Sequence, residues 1–472
     1  MKNVSVGISR RKFLEGASSA TLLGAATPLI ARAGETAEIP FSDQIPYGRP
    51  SAGRRWYKGN THLHTIRSDG DAFPIEAALR FKKAGYNFIC FTDHNVTATD
   101  PFRPIAVKSP VYGKKVTEKV VSRFAEDFPG LELKREYEKA DRRYCTSLSF
   151  EEIASAVNER DRFLVISGNE VTAAPSGGNE IHCNMLNLKT SCRARHLESV
   201  AACLDWMIGE RDRILGRGPD TIFTLNHPLW VSYDVPPQLA VDHPSIRFFE
   251  VCNSGSMPRF NLPGPEFTHD KWWDVVNTKR ALMGLPLLYA VGCDDIHGYG
   301  VMREGRPRAA GYIQVLSSDL SVESLFKSMY CGDFYASCGL ELKNVSFDLN
   351  SRTLSVEVDP RYGDDCVISF IGSKRNVDVS VREIVSWEIR KGSVGAWLEK
   401  ERHFNRHRTV ERYSEDVGKV FKQVRGRKAS YTMQPDDLYV RAKVVTSQGV
   451  RPENCEPTLP IAWTQPIVAK SL

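Results

Sequence analysis

From residue 56 to about 340 one order recurs along the chain: a short apolar run, polar or histidine-containing residues, then an amphipathic stretch. The apolar runs Trp56–Thr61, Phe88–Phe91, Phe163–Ser167, Ile181–Leu186, Ile222–Leu225, Phe248–Val251 and Leu288–Val291 have the length and composition of buried strands. Helical patterns lie between most of them. Pro74–Ala84 places apolar residues at 75, 78, 79 and 81, with proline in the first turn, where its missing N–H costs nothing. Ser149–Asn158 opens on Ser149 with Glu152 three residues on, a capping box. Leu197–Ile208, Lys271–Met283 and Val322–Met329 share the periodicity. Alternating strands and helices predict an α/β fold on a parallel sheet. Seven such units in about 285 residues fit a closed or nearly closed barrel, in which reactive groups sit at the carboxyl ends of the strands.

Two regions depart from this rhythm. Residues 100–148 form a long, charged insertion between the second and third strands, predicted to be a solvated helical excursion or a substrate-gating cap. After residue 340 the helical patterns stop, and Val345–Leu349, Thr353–Val358, Cys366–Ile371, Leu438–Val445 and Thr464–Val468 read as strands of a small all-β, sandwich-like domain spanning 341–472. Within it, residues 390–428 hold 12 Lys/Arg against five Asp/Glu. His403 and His407 lie four apart there, the spacing of a helical zinc pair, but a solvated basic face is the simpler expectation.

A chain of 472 residues is too long for one core, so two or three domains are expected. No run approaches the roughly 18 apolar residues of a membrane span, so no stable membrane anchor is expected. The formal charge is +6, but residues 1–33 carry five basic groups and one acid, which leaves +2 for the rest. That balance gives no reason to expect a nucleic-acid partner. Ser9-Arg10-Arg11-Lys12-Phe13-Leu14 precedes the mildly apolar run Ala17–Ile30 and the small-x-small pattern Ala31-Arg32-Ala33. It resembles a twin-arginine export signal over residues 1–33, which implies passage through the twin-arginine machinery to the periplasm or beyond, already folded. The 11 cysteines contain no Cys-x-x-Cys pair, and several sit in apolar runs, so buried thiols and no disulfide framework are expected.

The chemistry follows from where histidines and acids fall. His62-Leu63-His64 ends the first strand, and alternation puts both imidazoles on one side. Asp69 follows in Ser68-Asp69-Gly70, His94 ends the second strand and Glu170 the third. His182 lies on the fourth, His227 ends the fifth in Asn226-His227-Pro228, and Asp295-Ile296-His297 ends the seventh. Singly, a strand-end histidine is usually structural; together they form the donor set of a metal site. Imidazole and carboxylate without thiolate suit Zn, Mn or Fe. His196, His243 and His269 fall outside the pattern.

The motifs His62-x-His64, Thr92-Asp93-His94, Asn226-His227-Pro228 and Asp295-x-His297, in this order, resemble the PHP (polymerase and histidinol phosphatase) metallohydrolases over residues 56–340. Within that family the chain looks most like the branch that includes carbaryl hydrolases, with Tyr439-Val440-Arg441-Ala442 and Ala462-Trp463-Thr464-Gln465-Pro466-Ile467 similar to its C-terminal end. The resemblance implies a distorted (β/α)7 barrel over 34–340 and two or three divalent ions. One ion would take His62, His64, Glu170 and Asp295. A second would share Glu170 and add His182 and His227, and a third would take Asp69, His94 and His297. Asp93 reads as an orienter beside His94. Asp294 is the alternative to Asp295, which the i,i+2 relation to His297 favours.

Such a cluster implies hydrolysis of a small-molecule ester by a metal-bridging hydroxide, with Glu170, Asp69 and His94 at the reacting centre. A phosphate ester is the leading substrate class. Arg303, with Arg306 and Arg308, follows the seventh strand as a cationic clamp, and Arg67 is the other candidate. The rival is a carbamate or aryl-ester hydrolase, for which Trp230 and Tyr233 would supply an apolar wall. A periplasmic metal-binding protein without turnover is the alternative of another class. Polymerase-associated exonuclease activity fits poorly with the export signal.

Overall fold

The computed structural model describes residues 45–107, 110–111, 114–115, 117–130, 137–139, 142–176, 178–215, 220–231, 233–255, 264, 266–300, 311–389, 407–448 and 459–468. The chain is mixed α/β and is built on one large sheet. Strands β1 (Arg55–Asn60), β2 (Phe88–Phe91), β3 (Leu164–Pro175), β4 (Ile181–Leu186), β5 (Phe223–Leu225), β6 (Phe248–Asn253) and β7 (Tyr289–Cys293) hydrogen-bond in sequence order, each to the next. Beyond β1 and β7 the two ends meet. Leu63 pairs with Ile296, His64 N donates to Ile296 O at 3.0 Å and Asp295 N to His62 O at 2.9 Å, so the path returns on itself at this end.

The expectation of a parallel sheet fails at β4, which runs antiparallel to both β3 and β5. The remaining neighbours among the seven are parallel. Only residues 176–180 separate β3 from β4, too few for the crossover that parallel neighbours need. β3 is also longer than its apolar run. Leu164–Ser167 pairs with β2, and Gly168–Ala173 continues alongside β4. Gly168 reads as a strand end in sequence. In the fold it lets backbones approach, since a Cβ there would lie 3.0 Å from the carbonyl oxygens of both Phe91 and Met185.

Helices α1 (Pro74–Lys83), α2 (Glu118–Asp127), α3 (Phe150–Val157), α4 (Val200–Leu215), α5 (Pro237–Asp242), α6 (His269–Leu282) and α7 (Val322–Tyr330) fill the connections. The capping box of α3 forms, with Glu152 N on Ser149 Oγ at 3.2 Å and Ser149 N on Glu152 Oε2 at 2.9 Å. Within the insertion, α2 docks on α1. Buried Glu76 takes Arg80 and Arg123 at 3.0 Å each, and Phe124 packs on Phe73.

Two strands that the apolar pattern does not mark, β8 (Gly311–Ser317) and β9 (Phe334–Cys338), carry the sheet onward from β1. Both are buried on each face and so lack alternation. Beyond them come β10 (Leu342–Asp348), β11 (Thr353–Val358), β12 (Val367–Lys374), β13 (Glu383–Glu388), β14 (His407–Arg412), β15 (Lys419–Arg425), β16 (Lys428–Thr432), β17 (Asp437–Val445), β18 (Ile461–Thr464) and β19 (Ile467–Val468). The large sheet continues without a break through β9, β18, β17, β12 and β15. β10, β11 and β16 form a second sheet, whose Leu354, Val356 and Val358 share a core with Ile368, Phe370 and Val440 of the large one. Among the described residues β13 and β14 pair only with each other. His407 opens strand β14, so the helical zinc pair fails for it, and His403 lies outside the described residues.

A buried ionic network ties α6 to β17. Arg441 meets Asp274 at 2.9 and 2.7 Å and Asp270 at 2.9 Å, with its guanidinium 4.5 Å above the Trp273 ring. Tyr439 donates to Asp274 at 2.7 Å and Lys443 to Asp270 at 2.6 Å. Ten of the 11 cysteines lie among the described residues, all as buried thiols. Among the described residues no helix is long and apolar enough to cross a membrane.

Removing one partner of a buried pair leaves an uncompensated charge, so Asp274→Ala is expected to cost about 3–5 kcal/mol in denaturant unfolding. Asp416→Ala, at the exposed Lys419 pair, is expected to leave the midpoint close to unchanged. Equal losses would refute the network's role.

Candidate metal centre

The donors converge where the strand path closes. Because Leu63 takes part in the closing bridge and is buried, His62 and His64 project together to its other side. His62 Nε2 and His64 Nε2 lie 3.1 Å apart. Asp295 Oδ1 is 3.3 Å from the first and 3.0 Å from the second. Glu170 stands among them inside β3, not at its end. Its Oε1 is 3.3, 3.1 and 3.6 Å from His62, His182 and His227, and its Oε2 is 3.1 Å from both His64 and His94. The reversal of β4 matters here. His182, near the start of its strand, pairs with Thr172 and so reaches the same end of the sheet as ligands that follow the carboxyl ends of other strands.

On the more open side, His297 Nε2 is 3.0 Å from Asp69 Oδ2, and the His64 and His297 rings stack at 4.1 Å. Among the described residues four donor groupings have their ligand atoms within 4.8 Å of one another: His64, Asp69, His94 and His297; His62, His64 and Asp295; His94, Glu170 and His182; and His62, Glu250 and Cys293. His227 belongs to none of these but reaches Glu170 as above.

Glu250 is the member that strand-end reasoning misses. It sits within β6, with Oε1 2.7 Å from His62 Nδ1 and 3.0 Å from Cys293 Sγ, while Oε2 accepts from His227 N at 2.9 Å and Asn253 Nδ2 at 2.8 Å. It therefore fixes the His62 ring with Nε2 toward the cluster. The signal was present: an acid inside Phe248-Phe249-Glu250-Val251-Cys252 needs a buried partner. Asn226 Nδ2 similarly donates to Glu170 Oε1 at 2.8 Å.

The Asp93 carboxylate is hydrogen-bonded to Thr65 and Ser68, not to the His94 ring. Its Oδ1 accepts from Thr65 N at 2.7 Å and Ser68 Oγ at 2.7 Å, bracing the loop that carries His64 and Asp69. That loop turns tightly at Gly70, where a Cβ would meet His64 O at 2.4 Å. Asp294 engages Ser254 and Asn60, leaving Asp295 to face the histidines. Arg67 is not aimed at the cluster. It donates to the carbonyls of Thr97 at 3.4 Å and Asp100 at 3.0 Å, over the Phe102 ring, at the root of the insertion. Arg303, Arg306 and Arg308 lie outside the described residues. Tyr233 is buried in the core against Phe267, whereas Trp230 stands beside His182 and His227. Three residues next to or in the cluster hold left-handed backbone without being glycine: Asn95 at φ 54°, His227 at 23° and Asp295 at 47°.

The electrostatics call for cations. Burial works to lower the His64 imidazolium, but Asp295 and Glu170 outweigh it and raise it to about 10. Burial is likewise overcome at His182, which Glu170 and Glu180 lift to about 10. His94, where burial wins, falls to about 4. Glu170 and Asp295 stay well below the usual carboxylate range despite burial, because the histidines hold them ionised. Glu170 Oε2 and His182 Nε2 are buried without a well-aligned hydrogen bond, with imidazoles 3.1 Å from the first and Glu180 3.5 Å from the second. Buried imidazole and carboxylate atoms converging in this way fit divalent ions.

No family model matches the sequence, and no curated protein does. A solved two-domain protein from Bacteroides vulgatus, described as containing a predicted PHP-like metal-dependent phosphoesterase, is similar at 14% identity, over 89% of this chain and 96% of that one, with a TM-score of 0.36. At that score the likeness carries no argument, and the reading of the site rests on its side chains.

Metal loading must displace the protons that His64 and His182 retain at pH 8. Zinc titration calorimetry in two buffers of different ionisation enthalpy is expected to show net proton release, and none would contradict the assignment. Glu250→Gln is expected to weaken metal affinity about 10–100-fold by competition with a chelating dye, as for other groups that orient a ligand. Unchanged affinity would remove Glu250 from the centre.

Proposed function

We propose that the protein is a metal-dependent hydrolase of the PHP type, with a distorted (β/α)7 barrel, a sandwich-like C-terminal domain and phosphoesters as substrates. The observation that carries the proposal is the division of Glu170: one carboxylate oxygen faces His62, His182 and His227, and the other faces His64 and His94. A carboxylate shared in this way suits the bridge between two ions. Divalent ions held there would lower the pKa of water from about 15.7 toward about 7 and act as Lewis acids on the substrate oxygen.

The chain's own residues divide the work. His62, His64, Asp295, His182 and His227 surround Glu170 in the floor. Asp69, His94 and His297, with side chains 20–26% exposed, form the mouth through which substrate would enter. Glu250 and Asn226 orient His62 and Glu170, and Asp93 holds the loop of His64 and Asp69 in place. A phosphoryl group, with several anionic oxygens, makes fuller use of adjacent cations than the single carbonyl oxygen of a carbamate. The second reading, a carbamate or aryl-ester hydrolase, draws on the Trp230 ring beside His182 and His227. Export through the twin-arginine route is proposed on residues 9–33.

The test uses protein recovered from a periplasmic fraction, where an N-terminus at Gly34 is expected. p-Nitrophenyl phosphate mono- and diesters are compared with 1-naphthyl methylcarbamate and naphthyl acetate, with His62→Ala as the blank. Faster phosphoester turnover is expected. Faster carbamate or acetate turnover moves the assignment to the second reading, and no turnover by metal-replete protein defeats both.

A further inference from the structure

The insertion between β2 and β3 touches the ligand loops through Arg123. On α2, Val120, Val121 and Phe124 are buried in the same apolar core as Leu63, Ala72, Ile296 and Tyr299, which adjoin the ligands in sequence. Arg123 lies beside that stripe with its side chain 8% exposed. A charged side chain settles in such a place when its nitrogens find acceptors. Nε donates to Glu76 Oε1 on α1 at 3.0 Å, Nη1 to Asp71 Oδ2 at 3.4 Å, and Nη2 to the Asp71 carbonyl.

Asp71 is where two sides of the mouth meet. Its backbone N–H donates to His297 O at 2.8 Å, and its Oδ1 accepts from Tyr299 N at 2.7 Å. Tyr299 in turn donates its hydroxyl to His64 O at 3.0 Å. Asp69 stands two residues before Asp71, in a turn held closed by Ile66 N on Ala72 O and Gly70 N on Thr65 O, both at 2.9 Å. The segments that bear Asp69 and His297 are thus joined at Asp71, and Arg123 grips that residue by carboxylate and carbonyl together. The floor is held differently. Glu170 and His182 lie inside the paired strands β3 and β4, and Glu250 fixes His62.

We propose that Arg123 is a positioning residue for the mouth of the centre, and that docking of α2 is coupled through Asp71 to binding of a divalent ion by Asp69, His94 and His297. The proposal rests on the metal-centre reading above and adds a control to it: the insertion sets how tightly the outermost ion is held. The basis is preorganisation. Asp69 Oδ2 and His297 Nε2 already stand 3.0 Å apart on two separate segments. An ion that takes both gains affinity when their spacing is fixed beforehand. By linkage the ion stabilises the docked helix by the same factor.

Two measurements on the metal-free full chain test this without any substrate: manganese titration by calorimetry, and hydrogen exchange of the α2 amides. The unaltered protein is expected to show tight floor sites and a weaker mouth site. Arg123→Ala is expected to weaken the mouth site about tenfold, the low end for a group that acts through a ligand, and to leave the floor affinity unchanged. Asp71→Asn, which keeps the backbone donor to His297, is expected to do the same. The double variant is expected to be no weaker than either single one, because both remove one contact. Arg123→Lys, which keeps the charge without the fork, restores part of the affinity. Reciprocally, manganese is expected to slow exchange in α2 about tenfold in the unaltered protein and little in Arg123→Ala. If Arg123→Ala fails to fold, Asp71→Asn and Arg123→Lys carry the test. Equal weakening of floor and mouth, additive losses, or no weakening at all overturns the proposal. Manganese binding that leaves α2 exchange unchanged defeats the coupling alone; a chain that takes up no manganese defeats the metal-centre reading and the coupling with it.

Discussion

A carboxylate buried at the centre of the sheet, Glu170, sets the terms for what surrounds it. An ionised acid with 1% of its surface exposed is tolerable only with positive charge and hydrogen bonds supplied on every side. Five histidines and Asn226 answer that need from the segments around β1, β2, β4 and β5. Several irregularities of the fold serve the same purpose. β3 runs past its apolar stretch so that Glu170 lies within a paired strand. β4 is reversed so that His182 arrives at the correct end. The segments beyond β1 and β7 bridge through Leu63 and Ile296, which brings Asp295 to His62 and His64.

The second organising feature is the continuity of the sheet into the C-terminal strands. β8 and β9 join β1 to β18, β17 and β12, and the Arg441 network fastens the far side of this extension to α6. The C-terminal strands thus belong to the same hydrogen-bonded sheet as β1, with β8 and β9 between them.

The donors were legible in the sequence because His62-x-His64 and Asp295-x-His297 flank single apolar residues just past two strands, and Leu63 and Ile296 bridge there. The β3–β4 reversal was not legible, because an apolar run of six residues is the same read in either direction and only the short connection betrays it. β8 and β9 escaped because both of their faces are buried, which removes the alternation that marks a half-buried strand. Glu250 escaped because it lies inside a strand, whereas attention to strand ends favours loops. Arg67, chosen for its charge, shows a different limit. A cation's formula does not reveal its direction, and Arg67 turns toward the carbonyls of Thr97 and Asp100.

The left-handed backbone at Asn95, His227 and Asp295 bears on the history of such a site. Non-glycine residues in that region cost about 1–3 kcal/mol each, and glycine would relieve the strain at once. At positions 227 and 295 the same replacement would delete a donor. Selection for stability and selection for the centre therefore oppose each other at these two codons. A lineage freed from the chemistry would be expected to drift toward glycine there first, while one still under its demand keeps the strained residues. The identity of two backbone-strained positions would then serve, among descendants of this gene, as a record of whether the centre is still in use.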